Sequence, residues 1–172
     1  MAFSCSYALI ALLLLFKAPA LNAKPVKEVI VILNRPNQFS VLIKLLQDTG
    51  LLDAIQGQID AGTSFSGITV FAPTDAAFRK LPPGFIENLS LSQKTLLLQN
   101  LVVPQFYTFD GLAGVTGPLF TFSGFPLNIV DLQPRRPFVS TGSVTTAVKN
   151  PLTEEFPASV FPVFDVLLPP GL

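Results

Sequence analysis

The stretch ITVFAPTDAAFRKL, residues 68–81, decides how this chain folds. Its first residues are mostly β-branched or aromatic, a composition typical of a strand. Pro73 then fixes its own φ and favours extended backbone at the residue before it, so the strand is predicted to end there. Thr74 is placed to cap a helix through its side-chain oxygen, and Asp75 lies in the first turn, where the helix dipole favours negative charge. The stretch therefore predicts a strand, a corner and a helix.

The helix is predicted to run on through Phe78 and Leu81, which lie three residues apart and would share its buried face. The whole stretch, called the first signature below, closely resembles the first signature motif of fasciclin-type (FAS1) domains, which are secreted adhesion and matrix modules. The resemblance and the residue pattern together predict a structural role for the following residues: Thr69, Val70, Phe71, Ala72, Pro73, Thr74, Asp75 and Phe78.

A second segment, residues 102–107, resembles the second signature of the same family and is given that name here. Its matching residues are Val102, Val103, Pro104 and Tyr107. Family members often carry a histidine just before the two valines, whereas this chain has Asn100 and Leu101 there and no histidine at any position. An adhesive role assigned to that histidine in relatives therefore does not transfer to this chain.

The N-terminus carries an apolar run, residues 8–16, that ends at Lys17. The run is too short to cross a bilayer core, which takes roughly 20 residues. It suits the hydrophobic region of a secretory signal, and small residues lead up to Ala23. We therefore expect a signal peptide over residues 1–23, cleavage after Ala23, and a single FAS1 domain over residues 24–172. An uncleaved anchor is the alternative.

Composition after the signal limits the expected partners. The mature chain has no cysteine, because Cys5 leaves with the signal, and it has one more acidic than basic residue once Lys17 is removed. Neither sign of charge forms a long run. We therefore expect no nucleic-acid partner and no attraction to an anionic membrane, and no membrane span in the mature chain.

The first half of the mature chain has apolar residues at helical spacing. Three helices are predicted, over residues 26–33, 39–46 and 51–59. A further helix is predicted to begin at a capping box formed by Ser90 and Gln93 and to stop before the next proline.

The second half changes to short extended runs separated by turn formers, as a sheet requires. Hairpins are predicted over residues 119–130 and 138–148, and residues 160–170 resemble the closing strands of a FAS1 domain. Pro126 and Pro162 indicate edge positions or bulges, because proline cannot donate to a strand ladder.

The resemblance covers about residues 26–170 and implies an α+β fold, a wedge-shaped β-sandwich with several helices packed on it. No enzyme is predicted, because a mature chain without histidine or cysteine lacks the usual nucleophilic pairs and most zinc or copper ligands. Glu154 and Glu155 are sequence neighbours that would point apart, and we interpret them as a solvated loop. No catalytic residue, metal site or cofactor is expected.

Two surface features carry hypotheses of their own. Asn88 begins the one N-glycosylation sequon, in a loop after a proline turn, although Ser90 of the same sequon is also the expected helix cap. Arg135 and Arg136 form one compact basic spot, which is either a solvated turn or a contact for an acidic wall polysaccharide. Phenylalanine is expected to be mostly core, so that any ring-stacking sugar site would be small.

The resemblance extends to plant fasciclin-like arabinogalactan proteins, although residues 24–172 contain no tract of alternating proline and small residues, and we expect no apolar tail for lipid anchoring. We therefore expect a secreted extracellular-matrix or cell-wall module, in the apoplast or wall of a plant. It would act by binding cell-wall polysaccharide or extracellular protein, in adhesion or wall organisation. The alternative is an extracellular carrier of an apolar small molecule, with phenylalanines lining a cavity.

Overall fold

The computed structural model describes residues 28–60, 66–133 and 136–172. The predicted signal peptide, residues 1–23, and Arg135 lie outside these ranges. The described residues form seven helices and two four-stranded sheets, one with strand order β2-β1-β8-β7 and the other with order β3-β4-β5-β6. The predicted α+β class is confirmed.

Three N-terminal helices form as predicted: α1 (Glu28–Asn34), α2 (Ser40–Thr49) and α3 (Leu51–Asp60). Each buries part of its apolar face, although Val31 of α1 is exposed. Gly50 separates α2 from α3 with φ 62°, a left-handed conformation that glycine adopts without steric cost, and its N–H donates to Leu46 and Gln47 carbonyls at the end of α2.

The first sheet contains both signatures. Strand β1 (Ile68–Pro73) pairs antiparallel with β2 (Val102–Val103) and parallel with β8 (Ala158–Val163), and β7 (Thr153–Glu155) lies at the far edge. Every residue of β1 and β8 is buried, as expected for strands covered on both faces.

The second sheet confirms the two predicted hairpins. The first joins β3 (Leu119–Phe120) to β4 (Pro126–Gln133), and the second joins β5 (Arg136–Ser140) to β6 (Thr145–Ala147). Strand β4 pairs antiparallel with β5, with a register irregularity between Asp131 and Gln133.

The predicted edge positions of the two prolines are wrong, because both lie in interior strands. Pro126 is the first residue of β4, where a strand tolerates proline. Pro162 lies within β8 and opposite Ala72 of β1, beyond the end of the β7 pairing. There the Pro162 carbonyl accepts the Lys149 N–H at 2.9 Å. This contact needs no N–H from Pro162, so the residue is tolerated within the strand.

The helix after β1 is shorter than predicted. It is a single turn, α4 (Asp75–Phe78), and Leu81 lies beyond it. Pro82 and Pro83 follow directly, and a proline disfavours helical backbone at the residue before it, which gives a physical reason for the early end.

Two one-turn helices were not predicted, α5 (Phe85–Asn88) and α7 (Phe109–Ala113). The predicted capping box is confirmed at the start of α6 (Leu91–Asn100), where the Ser90 hydroxyl accepts the Gln93 N–H and the Gln93 side chain accepts the Ser90 N–H. Glu154 and Glu155 are exposed but belong to β7, so their interpretation as a loop is wrong.

Phenylalanine is less completely buried than the composition predicts. Within the described ranges four phenylalanines are buried, Phe39, Phe71, Phe78 and Phe161, whereas Phe120, Phe156 and Phe164 are exposed. Most of the remaining core is leucine, valine and isoleucine from the helices and the first sheet. Aromatic surface is therefore available for contact.

Candidate functional site

The corner after β1 joins three parts of the fold. Thr74 is buried and caps α4, its side-chain oxygen accepting the Ala77 N–H in a long hydrogen bond of 3.4 Å. Its own N–H donates to the Val163 carbonyl at the end of β8. Asp75 continues the connection, because its N–H donates to the Gln38 carbonyl at 2.7 Å, just before α2.

The Asp75 carboxylate caps a helix other than its own. It accepts the Val41 N–H at 2.9 Å, the Ser40 hydroxyl at 2.7 Å and the Ser40 N–H at 3.2 Å. Phe39, the residue in the N-cap position of α2, provides no side-chain cap. A carboxylate contributed from a distant corner thus satisfies the free N–H groups at the start of α2 and lies at the positive end of its dipole.

These contacts decide the ionisation of Asp75. Burial is the largest single influence on its pKa and acts to raise it, but the donors on Val41 and Ser40 and the nearby charge of Arg79 together lower the pKa below its ordinary value of 3.8. The carboxylate is therefore ionised at neutral pH, which is the state that accepts all three hydrogen bonds.

A buried hydroxyl joins the first signature to the second. Thr69 Oγ1 donates to the Gln105 carbonyl at 2.7 Å and accepts the Tyr107 N–H at 2.9 Å, and it lies 3.0 Å from the Ser159 hydroxyl of β8. Burial raises the pKa of the Tyr107 phenol. Of the other residues of the second signature, Val102 and Val103 are buried in β2 and Pro104 is exposed.

Asn100 is a structural residue that sequence analysis missed. Its side chain is fully buried, with the amide nitrogen donating to the Leu167 carbonyl at 2.9 Å and the amide oxygen accepting from the Ser123 hydroxyl at 3.1 Å. It therefore fastens α6 to the C-terminal segment and to the turn between β3 and β4. The sequence signal was present, since an asparagine within an apolar helix end needs buried partners.

A groove opens beside Thr74, on the outer side of the same corner. Its main cavity measures about 560 Å³, and an adjoining recess measures about 350 Å³. The two share four lining residues: Gln38, Thr74, Lys149 and Phe164. Together we call them the basic groove, because Arg136 and Lys149 line the cavity and Arg79 lines the recess.

Aromatic and aliphatic side chains supply the walls of this groove. Phe39 forms part of the floor, Phe109 and Leu152 are half-buried walls, and the Phe164 ring is 42% exposed. The Lys149 ammonium lies 4.1 Å from the centre of the Phe164 ring, a cation–π contact. Among the described residues, no aspartate or glutamate lines the main cavity.

Two predicted sites receive a location. Arg136 is exposed on β5 and lines the groove. Its neighbour Arg135 lies outside the described residues, so the basic spot that the two arginines were expected to form together remains a prediction. Asn88 is exposed at the end of α5, so its placement in a loop was wrong. Ser90 of the sequon caps α6, and glycosylation of Asn88 remains a prediction.

Sequence analysis missed Arg79, Lys149 and Phe164 as members of one site. Their proximity depends on long-range pairing, because Lys149 is held at the Pro162 carbonyl and Phe164 donates its N–H to Thr146 of β6 at 3.1 Å. Neither contact has a local sequence signal.

Two further kinds of feature are absent from the described ranges. No group of three or more cysteine, aspartate or glutamate side chains there could hold a metal ion. No helix within those ranges has the length and apolarity needed to cross a bilayer.

The fold and the two signatures define the class of protein. The family model described as Fasciclin domain matches residues 37–150, so the chain belongs to the fasciclin domain family. The fold is similar to a FAS1 domain pair from the insect cell adhesion molecule Fasciclin I, with a TM-score of 0.52 at 16% identity over 72% of this chain and 43% of that chain. The predicted membership of this family is thereby confirmed.

Plant proteins of this family are the most informative relatives in sequence. The chain is 35% identical over 162 residues to fasciclin-like arabinogalactan protein 6 of Arabidopsis thaliana and 36% identical over 159 residues to fasciclin-like arabinogalactan protein 11 of the same plant. These matches cover 90% and 89% of this chain but only 64% of each relative. None of these descriptions names an enzymatic activity.

Proposed function

We propose that this chain is a secreted extracellular-matrix or cell-wall module that acts by binding polysaccharide or protein, in adhesion or wall organisation. The observation that carries the proposal is the basic groove, an open surface with aromatic walls and cations on its rim. The names of the relatives support it, since they refer to arabinogalactan proteins and to a cell adhesion molecule. The side chains of Thr69, Thr74 and Asp75 make their hydrogen bonds within the fold, which leaves the groove as the candidate contact surface.

Retention by matrix polymers tests this proposal. Purified protein covering residues 24–172 is incubated with an insoluble plant cell-wall preparation, washed, and eluted with increasing salt. We expect retention that salt reverses, because contacts with exposed cations are screened. A protein that passes through every wall fraction, and that captures no protein from a matrix extract, would contradict the proposal.

Secretion and modification belong to the same proposal. We expect cleavage after Ala23 and a glycan on Asn88 when the full chain is expressed in plant cells. N-terminal sequencing of the secreted product, and its mass before and after glycan release, would test both. A mature product that still begins at Met1, or an Asn88 that carries no glycan, would contradict the corresponding expectation.

A carrier of an apolar small molecule is the second candidate. The aromatic walls of the groove favour it, and its main cavity of about 560 Å³ falls within the range typical of small-molecule sites. The exposed cations and the opening to solvent favour the matrix role. Native mass spectrometry after gentle purification separates the two, because a co-purified apolar molecule supports the carrier and an empty protein retained by wall polymers supports the matrix module.

A further inference from the structure

The charge of the groove differs from the charge of the whole chain. The sequence is formally neutral at pH 7, with eleven basic and eleven acidic residues. The described lining of the main cavity nevertheless contains Arg136 and Lys149 without an acidic residue. In the adjoining recess Arg79 lies near Asp75, whose carboxylate already accepts three hydrogen bonds from the start of α2. The groove is therefore locally positive and complementary to an anion.

The polar and aromatic lining narrows the chemistry of that anion. Gln38 and Asn150 add amide groups that can both donate and accept hydrogen bonds, which suits a ligand rich in hydroxyl groups. The exposed Phe164 ring offers an apolar face, at present covered by the Lys149 ammonium. Lysine has a flexible stem, so this ammonium can move to a ligand carboxylate and leave the ring face open.

The opening of the groove favours a polymer over a small acid. The main cavity and the recess adjoin along Thr74 and Lys149, so that cations are present at Arg136, at Lys149 and at Arg79 along one surface. A chain with a carboxylate on successive residues can contact several of these cations together. A small molecule would use one part of the surface and leave the rest solvated.

We propose that the basic groove binds a segment of an acidic polysaccharide built from uronic acid residues. Arg136 and Lys149 pair with uronate carboxylates, and the Phe164 ring packs against the apolar face of a sugar ring. This inference rests on the proposed matrix function and specifies its site and its ligand class. It differs from a general attraction of polyanions, because it requires the groove and not merely positive charge.

Calorimetric titration with defined oligogalacturonates tests the inference. The probe for comparison is the same oligomer with its carboxylates methyl-esterified, which keeps the sugar backbone and removes the charge. We expect the groove double variant Arg136→Gln/Lys149→Gln to bind the charged oligomer at least tenfold more weakly than the unmodified protein. Phe164→Leu keeps apolar volume but removes the ring, and we expect it to weaken binding about threefold to tenfold.

A matched control separates the groove from net charge. Lys44→Gln/Lys94→Gln removes the same charge from positions on α2 and α6 that do not line the groove, and we expect it to bind within twofold of the unmodified protein. Equal weakening by both double variants, or no weakening by either, would overturn the inference. Equal binding of the esterified oligomer would also overturn it. Urea unfolding of each variant verifies that it is folded.

The failure of this inference can be distinguished from the failure of the proposed function. If wall polymers retain the unmodified protein and the groove double variant equally, the matrix role stands and the groove assignment is wrong. If no wall fraction retains the protein and it captures no protein from a matrix extract, the proposed function itself is wrong. If polyglutamate, but not oligogalacturonate, binds in a groove-dependent way, the ligand is an acidic peptide and the polysaccharide assignment is overturned.

Discussion

The corner after β1 and the rim of the basic groove lie side by side but use their polar groups differently. At the corner, the Thr74 side chain and the Asp75 carboxylate are hydrogen-bonded to backbone groups of the chain itself. On the rim, Arg136 is exposed and Lys149 contacts an aromatic ring. Polar residues whose hydrogen bonds are made within the fold are expected to affect stability, whereas exposed cations are available to a partner.

This difference changes how the signatures are interpreted. Thr69, Asp75 and the neighbouring Asn100 hold together elements that lie far apart in sequence. The residues by which the family is recognised are thus mainly residues that stabilise its fold. Contact with a ligand is assigned instead to side chains outside the two signatures, apart from Arg79.

The largest expected effect is that of Asn100→Ala on stability. Loss of the amide leaves the Leu167 carbonyl without its side-chain donor, leaves the Ser123 hydroxyl with Thr121 alone, and opens a small void, which we expect to cost about 3 kcal/mol. Urea unfolding at pH 7 measures the change. Asn150→Ala is the matched control, because Asn150 is exposed, and it is expected to change stability by less than about 0.5 kcal/mol. Equal effects of the two variants on stability would contradict the structural role assigned to Asn100.

Asp75→Ala is expected to follow, with a loss of about 2 kcal/mol. The variant removes the acceptor for the first N–H groups of α2, a capping interaction that usually contributes about 1 kcal/mol, and it also removes the charge-assisted bond to Ser40. Thermal and urea unfolding measure the loss. Asp48 lies exposed near the other end of α2, and Asp48→Ala is expected to leave stability nearly unchanged. A fully stable Asp75→Ala protein would contradict the capping role.

The pH dependence of that contribution is a smaller effect. Because the pKa of Asp75 is lowered on folding, its charged form stabilises the protein above the unfolded pKa, near 3.8, and this stability is lost as pH falls through the folded pKa. We therefore expect the stability difference between the unmodified protein and Asp75→Asn to be larger at pH 6 than at pH 3. Urea unfolding at both pH values tests this. A difference that stays constant would show that the charge is not involved.

The smallest expected effect on stability comes from the rim. Arg136→Gln/Lys149→Gln removes exposed charges and one cation–π contact, and we expect a change within about 0.5 kcal/mol. Urea unfolding beside the Asp75→Ala protein measures it. A loss comparable to that of Asp75→Ala would mean that the rim also supports the fold and would end the contrast between the two regions.

Local features of the fold were predictable from sequence. The Thr74 cap and the Ser90–Gln93 capping box involve residues three apart, so the chain itself brings the partners together. The strand β1, the three N-terminal helices and the two hairpins likewise follow from periodicity and turn residues. The short α4 shows the limit of such prediction. The helical spacing of Phe78 and Leu81 predicted a longer helix, but the helix ends at Phe78, before the two prolines.

The contacts that define the candidate site were not predictable in this way. Asp75 reaches Ser40 across 35 residues, and Asn100 reaches Leu167 across 67. The pairing of Lys149 with Pro162 depends on the arrangement of β6 and β8. Of the three cations named in the groove, only Arg136 was selected from sequence, through its neighbour Arg135, because two adjacent arginines are visible without a fold.

One paired measurement tests the central claim, that polar side chains hydrogen-bonded within the fold support it while the groove binds. The unfolding free energy and the affinity for oligogalacturonate are measured on Asn100→Ala and on Arg136→Gln/Lys149→Gln, at a temperature where both are folded. We predict that Asn100→Ala loses stability and keeps the affinity of the unmodified protein, whereas the double variant keeps stability and loses affinity. The opposite pattern, with a stable Asn100→Ala protein that no longer binds and an unstable double variant that does, would contradict the account.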